Sequence, residues 1–195
     1  MTDSVVAMFE KSGALLKGHF LYASGLHGPV YWEKAKVIQY PEYTEKLCRM
    51  IADHYRKAGA QVVAAPTTPG IILGYETARQ LGVRGIFAEK NEAEGIREFR
   101  RGFQIEPGEK VLVVDDIMTT GGSVREVIDA VKKLGGDIIG IGVLVYRPPA
   151  QPVDFGVPFY CCYRAEEVAY PAAKCPLCAQ GIPLTRRGSS KAKSG

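Results

Sequence analysis

The segment from Val111 to Val131, VLVVDDIMTTGGSVREVIDAV, is the feature that most narrows what this chain can fold into. It begins with four consecutive apolar residues, which is typical of a buried strand. Two aspartates follow, and then the small, hydroxyl-rich stretch TTGGS. Beyond that stretch, apolar residues recur at helical spacing: Val124, Val127, Ile128 and Val131. The segment therefore predicts a strand, an acidic pair, a glycine loop and a helix in succession.

The predicted loop has the chemistry of a monophosphate cradle. A helix start leaves backbone N–H groups unpaired, and the helix dipole favours an anion there. Gly121 and Gly122 allow the backbone to curl around that anion without Cβ clashes. The side chains of Thr119, Thr120 and Ser123 add hydroxyl donors.

Asp115 and Asp116, at the end of the predicted strand, can accept hydrogen bonds from sugar hydroxyls and can hold Mg2+ through water. The segment is not a Walker loop, because no Gly-Lys-Ser/Thr closes it. It is not a dinucleotide fingerprint, because the acids precede the glycines. The alternative is an ordinary strand–turn–helix with a surface aspartate pair, which is disfavoured because buried carboxylates are costly without a partner.

Strands that alternate with helices along the chain predict an α/β fold with a parallel sheet flanked by helices. A helix is expected over residues 2–16, and a hairpin or small β-rich hood over 18–40. The predicted strands are 62–65, 85–88, 111–114, 137–147 and an edge strand in 155–164, with 103–105 pairing back onto the sheet. The predicted helices are 42–58, 70–81 and 122–134.

Composition bounds the partners and the compartment. The 195 residues suffice for one sizeable domain. We expect no membrane association, because no apolar run approaches the roughly 20 residues of a membrane helix. The N-terminus lacks a secretory pattern, which predicts a cytoplasmic protein. The net charge of +4 suits an anionic small substrate, and no nucleic-acid-binding motif is evident.

The five cysteines are an odd number, which fits a reducing compartment. Four of them could form a thiolate zinc site: Cys161, Cys162, Cys175 and Cys178. The CPLC pair has zinc-like spacing, but adjacent cysteines point opposite ways on a strand, so buried or surface thiols are the favoured alternative. The three histidines offer no clear catalytic base and are expected to be structural or exposed: His19, His27 and His54.

The run from Val111 to Ser123 resembles the binding signature of type I phosphoribosyltransferases, which bind phosphoribosyl pyrophosphate (PRPP). The resemblance implies that the acidic pair holds the ribose 2′ and 3′ hydroxyls and that the loop holds the 5′-phosphate. It also implies that Mg2+ acts mainly through PRPP, without direct protein ligands. The implied PRPP-binding residues are Asp115, Asp116, Ile117, Met118, Thr119, Thr120, Gly121, Gly122 and Ser123.

Nearly the whole chain resembles the orotate-specific branch of that family. The N-terminal stretch FEKSGALLKGHFLYASGLHGPVYWEKAKV is similar to its hood, and GIILGYETARQLGVRGIFAEK and RRGFQIEPGEKVLVVDDIMTTGGS are similar to the segments around its catalytic loop. The resemblance implies transfer of phosphoribosyl from PRPP to orotate, giving orotidine 5′-monophosphate and pyrophosphate, by a homodimer. It also implies one domain over 1–185, with a hood formed by 1–40 and a C-terminal segment. Residues 186–195 are expected to be a basic, disordered tail.

The same resemblance implies which side chains meet orotate. Thr119 and Arg147 should face it, and a guanidinium at a strand end could clamp its carboxylate. Tyr31 and Trp32 match an aromatic pair beside the pyrimidine. The alternatives are a surface charge for Arg147 and hood core packing for the two aromatic rings.

Residues 89–101 are polar and basic, which predicts a lid that covers the site and excludes water. Its alternative is a solvated surface hairpin. The implied catalytic residues are Lys90, Arg101, Asp115 and Asp116.

The chain departs from the family pattern at Pro69, which removes an N–H donor from the pyrophosphate loop, and at Ala93, near the position of the catalytic-loop lysine. These departures keep two alternatives open. One is a phosphoribosyltransferase for another base, and the other is a PRPP sensor without catalysis.

Overall fold

The central element is a six-stranded sheet in the order β5-β4-β3-β6-β7-β8. A computed structural model describes residues 2–22, 24–33, 35–149, 151–166 and 168–187. Five strands run parallel, and β5 pairs antiparallel with β4. The strands are β3 (Val62–Pro66), β4 (Arg84–Asn91), β5 (Ile96–Phe99), β6 (Lys110–Met118), β7 (Asp137–Tyr146) and β8 (Phe159–Arg164). The predicted α/β class is confirmed.

The helices cover both faces of this sheet, because alternate residues of β6 point to opposite sides. Leu112 and Val114 join a core with α1, α3 and α4, whereas Val111 and Val113 join a second core with α5. The helices are α1 (Thr2–Lys11), α2 (Ala35–Ile38), α3 (Pro41–Tyr55), α4 (Pro69–Leu81), α5 (Gly122–Lys133) and the short α6 (Pro176–Ala179).

A second, three-stranded sheet forms the hood, in the order β2-β1-β9. β1 (Leu15–Leu21) and β2 (His27–Trp32) are an antiparallel hairpin, as the glycine and proline punctuation predicted. β9 (Thr185–Arg186) returns from the C-terminal segment and pairs parallel with β1. Of the predicted tail, residues 188–195 lie outside the described residues.

Several boundaries differ from the predicted ones: α3 ends at Tyr55 rather than at residue 58, and β4 extends to Asn91 rather than ending at residue 88. The first helix ends at Lys11, since Gly13 at φ +66° turns the chain into β1. Residues 103–105 form no strand. The chain turns after β5 through Arg101 and Gly102, both at positive φ. β6 continues through both aspartates to Met118. Within the described residues, no helix combines the length and apolar character needed to cross a bilayer.

Candidate functional site

The segment that joins β6 to α5 lines a cleft of about 300 Å³, which we call the loop cleft. Eight of the nine residues predicted to bind PRPP line it, and Asp116 is the one that does not. Its lining is Asp115, Ile117, Met118, Thr119, Thr120, Gly121, Gly122, Ser123, Val124 and Glu126. A single stretch of sequence therefore forms the whole concave surface of the cleft, at the C-terminal edge of the sheet.

Gly121 gives the loop cleft its shape. It is the N-cap of α5 at φ +74°, and its carbonyl accepts a hydrogen bond from the Arg125 N–H (2.9 Å). A Cβ there would lie 2.4 Å from Cζ of Phe155. Only glycine satisfies both the backbone angle and the close packing. The α5 N-terminus, with its unpaired N–H groups, therefore opens directly into the cleft.

The side chains of the two aspartates project from opposite faces of β6, because neighbouring side chains of a strand alternate. Asp115 is 7% exposed and lines the loop cleft, and its Oδ1 accepts a hydrogen bond from the Asp116 N–H (2.8 Å). Asp116 is 2% exposed, and its Oδ1 accepts from the Ile117 N–H. The structure thus brings Asp115 into the cleft and directs Asp116 toward the core shared with α4.

A second pocket, of about 150 Å³, lies between the hood and the ends of β7 and β8, and we call it the hood pocket. Trp32 and Arg147, two of the residues predicted to meet orotate, line it. The other lining residues are Leu15, Tyr22, Pro29, Val30, Tyr163, Ala165, Glu166 and Val168. This volume is below the roughly 300–1,000 Å³ typical of drug-sized ligand pockets, so it suits a single small ring.

Arg147 connects the two spaces. Its backbone N–H donates to the carbonyl of Met118 (2.9 Å), a residue of the loop cleft. Its guanidinium carbon lies 5.2 Å from the centre of the Tyr22 ring. That distance is within the range of a cation–π contact. The half-buried guanidinium is therefore held over the hood pocket at the edge where the two sheets approach.

The other residues predicted to meet orotate do not all lie in the same space. Thr119 lies in the loop cleft. Tyr31 is not among the residues lining either space, and its ring packs on Phe20 (5.6 Å between centroids), as its core-packing alternative predicts. Trp32 lines the hood pocket while also packing against Phe9 and Tyr163, at 5.0 and 5.7 Å.

The β4–β5 hairpin and the APTTPG loop enclose a third space, which we call the hairpin groove, of about 540 Å³. It contains Lys90 and Arg101, the two predicted cationic catalytic residues. Arg101 forms a two-pronged ion pair with Glu89, at 2.8 and 3.0 Å. Hydrogen bonding to Arg101 lowers the pKa of Glu89. The full lining is Thr67, Thr68, Ile71, Phe87, Glu89, Lys90, Glu92 and Arg101.

Pro69 occupies the first turn of α4, where a backbone N–H has no helical partner in any case. One residue before the Thr68–Pro69 bond, the peptide between Thr67 and Thr68 is cis. Gly70 and Gly74 let α4 pack directly on Ala65 of β3, since an added Cβ would lie 3.3 and 2.9 Å from the Ala65 Cβ. The proline thus begins a closely packed helix, and the donor it removes is one that the helix does not use.

Arg97 is a residue whose individual role sequence reasoning missed. Its Nε lies 3.0 Å from the Glu126 carboxylate, and its Nη1 donates to the Thr67 hydroxyl (3.1 Å). The side chain is only 9% exposed. It therefore ties the hairpin to both the APTTPG loop and α5. Arg97 lies on β5, directly opposite Lys90 of β4. The sequence shows that Arg97 is basic, but its contacts could be predicted only with the register of these two strands known. Ala93 lies exposed at the hairpin turn.

Comparisons with known proteins agree with this architecture. Residues 39–161 match the family model described as phosphoribosyl transferase domain. The orotate phosphoribosyltransferase of Pelotomaculum thermopropionicum is 51% identical, over 97% of this chain and 98% of that protein. The orotate phosphoribosyltransferase of Caldanaerobacter subterraneus subsp. tengcongensis is 47% identical, over 97% and 98%.

Solved structures show the same fold at low identity. The orotate phosphoribosyltransferase of Aeropyrum pernix superposes with a TM-score of 0.68 at 20% identity, covering 82% of this chain and 93% of that chain. The Mycobacterium tuberculosis enzyme in complex with inorganic phosphate gives a TM-score of 0.65 at 18% identity, covering 83% and 96%. At this identity the similarity speaks for the architecture alone.

Proposed function

Because the chain belongs to the phosphoribosyltransferase family, we propose that it transfers the phosphoribosyl group of PRPP to orotate. The products are orotidine 5′-monophosphate and pyrophosphate, as a step of pyrimidine synthesis. Relatives named orotate phosphoribosyltransferase match nearly the full length of the chain. The observation that carries the proposal is the loop cleft, which collects the predicted ribose-phosphate residues at the start of α5.

The loop cleft would bind the ribose 5-phosphate half of PRPP. The N-terminal N–H groups of α5 and the hydroxyls of Thr119, Thr120 and Ser123 offer donors to the phosphate. Asp115 would accept hydrogen bonds from the ribose hydroxyls. Asp116 points to the other face of β6, so we propose that it acts together with Asp115 at the strand edge rather than from within the cleft.

The hood pocket would bind orotate. Arg147 offers a planar pair of N–H donors to the orotate carboxylate, and Trp32 offers a flat apolar wall. A ring nitrogen of orotate then attacks C1 of the ribose, and the C1–O bond to pyrophosphate breaks with its electron pair leaving on pyrophosphate. The proton that the ring nitrogen loses passes to the departing pyrophosphate or to solvent. Thr119, on the loop-cleft side, would contact orotate at the junction of the two spaces.

The hairpin groove would receive the pyrophosphate. Lys90 and Arg101 supply positive charge there, where negative charge develops on the leaving group. Arg101 is paired with Glu89, so binding pyrophosphate requires it to exchange one anionic partner for another. Closure of the 89–101 hairpin would exclude water from the ribose cation.

The donor set also fits Mg2+, which prefers carboxylate and phosphate oxygens and retains several waters. The carboxylate of Asp115 lies at the wall of the loop cleft and could hold such an ion through water. When bound, Mg2+ neutralises charge on the pyrophosphate leaving group. We propose that the ion arrives mainly with PRPP, without direct protein ligands.

Three further assignments are proposals. A homodimer is supported by Ile72 and Tyr75, neighbours on one face of α4 that are 48% and 69% exposed. A cytoplasmic location is supported by five free thiols. A single domain, predicted over 1–185, is supported by the return of β9 to the hood sheet; because β9 includes Arg186, the proposed tail of 186–195 would begin after that residue.

The test is a pyrophosphate-release assay with PRPP, Mg2+ and a panel of nucleobases that includes orotate. We expect pyrophosphate to be released when orotate is the base and not when any other base of the panel is used. Release with another base but not with orotate would assign the chain to that base. PRPP binding by calorimetry without release for any base would favour the sensor alternative.

A further inference from the structure

A cluster of four metal-ligating side chains lies in the hood, outside the spaces described above. His19 and His27 come from the two strands of the β1–β2 hairpin, and Cys175 and Cys178 come from the C-terminal segment. One ligand atom from each residue lies within 4.8 Å of all the others. We call these four residues the His-Cys cluster.

The spacing of the ligand atoms suits a tetrahedral ion. Zinc with Zn–N of about 2.0–2.1 Å and Zn–S of about 2.3 Å places neighbouring N and S atoms about 3.5 Å apart. In the His-Cys cluster, His19 Nε2 lies 3.5 Å from Cys175 Sγ and 3.7 Å from Cys178 Sγ. His27 Nδ1 lies 3.3 Å from Cys178 Sγ. The two ring nitrogens are 2.9 Å apart, so binding an ion would separate them slightly.

The surroundings orient the ligands inward. His19, Cys175 and His27 are 2%, 4% and 6% exposed. The Nδ1 of His19 lies 2.7 Å from the carbonyl of Ile182, so an N–H there donates to that oxygen and leaves Nε2 as the acceptor facing the cluster. A histidine that ligates zinc typically has its other ring nitrogen held in this way.

From this geometry we propose that His19, His27, Cys175 and Cys178 bind one structural Zn2+ ion. The mixture of two imidazoles and two thiolates in tetrahedral spacing is a combination that zinc favours, and four protein ligands leave no open position for substrate. The hard cation Mg2+ does not suit these ligands. The all-cysteine site, which the spacing of the cysteines disfavoured, is not formed, because Cys161 and Cys162 face the two different cores of the main sheet.

The ion would fasten the C-terminal segment to the hairpin. Among the residues that the structure describes, β-type backbone pairing between this segment and the hairpin is limited to the two-residue strand β9 and a bridge between His27 and Tyr170. Trp32 and Val30 of the same hairpin line the hood pocket. Zinc would therefore stabilise the wall of that pocket from the side away from the reaction.

The test measures zinc in the full-length chain, purified without chelators, by mass spectrometry of the metal. We expect about one zinc per chain, and Co2+ substituted into the chelator-treated protein should give the strong visible bands of tetrahedral thiolate coordination. The variant is Cys178→Ser, chosen because Cys178 is the exposed ligand. Cys161→Ser, a half-buried thiol outside the cluster, is the matched control.

We expect Cys178→Ser to weaken Zn2+ binding at least as much as the roughly 10–100-fold lost when an outer-shell partner is removed. Cys161→Ser should retain zinc. The proposal is overturned if the native chain binds no zinc and gives an octahedral Co2+ spectrum. It is also overturned if Cys178→Ser binds zinc as tightly as Cys161→Ser, or if a Cys175–Cys178 disulfide is found in the freshly purified protein. These readouts do not depend on turnover, so they stand apart from the proposed reaction.

Discussion

The loop cleft and the hood pocket are built in opposite ways. A continuous segment, Asp115 to Glu126, supplies the whole lining of the loop cleft. The hood pocket draws on the first hairpin, the end of β7 and the chain beyond β8, including Leu15, Arg147 and Val168. A phosphate needs backbone donors that one strand–loop–helix unit can present, whereas a flat ring needs walls that only separate segments can provide.

The largest effect is expected at the loop cleft. Replacing both Asp115 and Asp116 by asparagine should remove two charge-assisted hydrogen bonds to ribose. At about 1.5–3 kcal/mol each, that predicts a loss of about 10²- to 10⁴-fold in PRPP affinity. Asp129→Asn, an exposed acid on α5, is the control and should bind PRPP normally. Calorimetry with PRPP makes the measurement, and normal affinity in the double variant would refute the ribose assignment.

The next effect concerns the backbone of the same cleft. Gly121→Ala should cost about 1–2 kcal/mol for a left-handed residue and about 1–3 kcal/mol more for overpacking against Phe155. Gly95, at φ +70° with open space around it, is the matched control. Gly95→Ala should lose only the first of these amounts. Denaturant unfolding compares the two free energies of unfolding, and equal losses would mean that the Phe155 contact is unimportant.

A smaller effect is expected at the hood pocket. Arg147→Ala should raise KM for orotate about 10- to 150-fold, since a hydrogen bond to a charged group is worth about 1.5–3 kcal/mol. PRPP affinity should be unchanged, because the loop cleft is intact. Arg164→Ala, at the adjacent strand end over the Tyr146 ring, is the control. If both variants had the same KM for orotate as the native chain, the hood pocket would not be the orotate site.

The smallest effect on activity is expected in the hairpin groove, and it tests whether this groove takes part in the same reaction as the loop cleft. Arg101→Ala breaks an exposed ion pair with Glu89, and because solvent screens such a pair, the variant should keep nearly the stability of the native chain. Turnover should still fall about tenfold or more if Arg101 meets pyrophosphate. Arg100→Ala, whose guanidinium pairs with Glu98, is the comparison. Equal kcat values for the two variants would remove Arg101 from the catalytic set.

Much of the fold could be predicted because its signals are local. The helical spacing in 122–134 and the apolar run from Val111 to Val114 each reflect burial against a single neighbour layer. The predicted first helix was too long because apolar residues such as Leu15 and Leu16 fit the buried side of a helix or of a strand equally well. The predicted pairing of 103–105 was wrong for a related reason. Ile105 is buried under α5 without joining a ladder.

The amino-acid sequence by itself determined the strand, the glycine loop and the helix of the loop cleft, because their backbone angles and dipole follow from residues that are adjacent in the chain. Only the tertiary structure decided which side chains share the hood pocket, that Arg97 bridges three segments, and that two histidines face two cysteines. Such contacts join residues up to about 160 positions apart. Their distances depend on sheet order and register, which no local pattern of residues specifies.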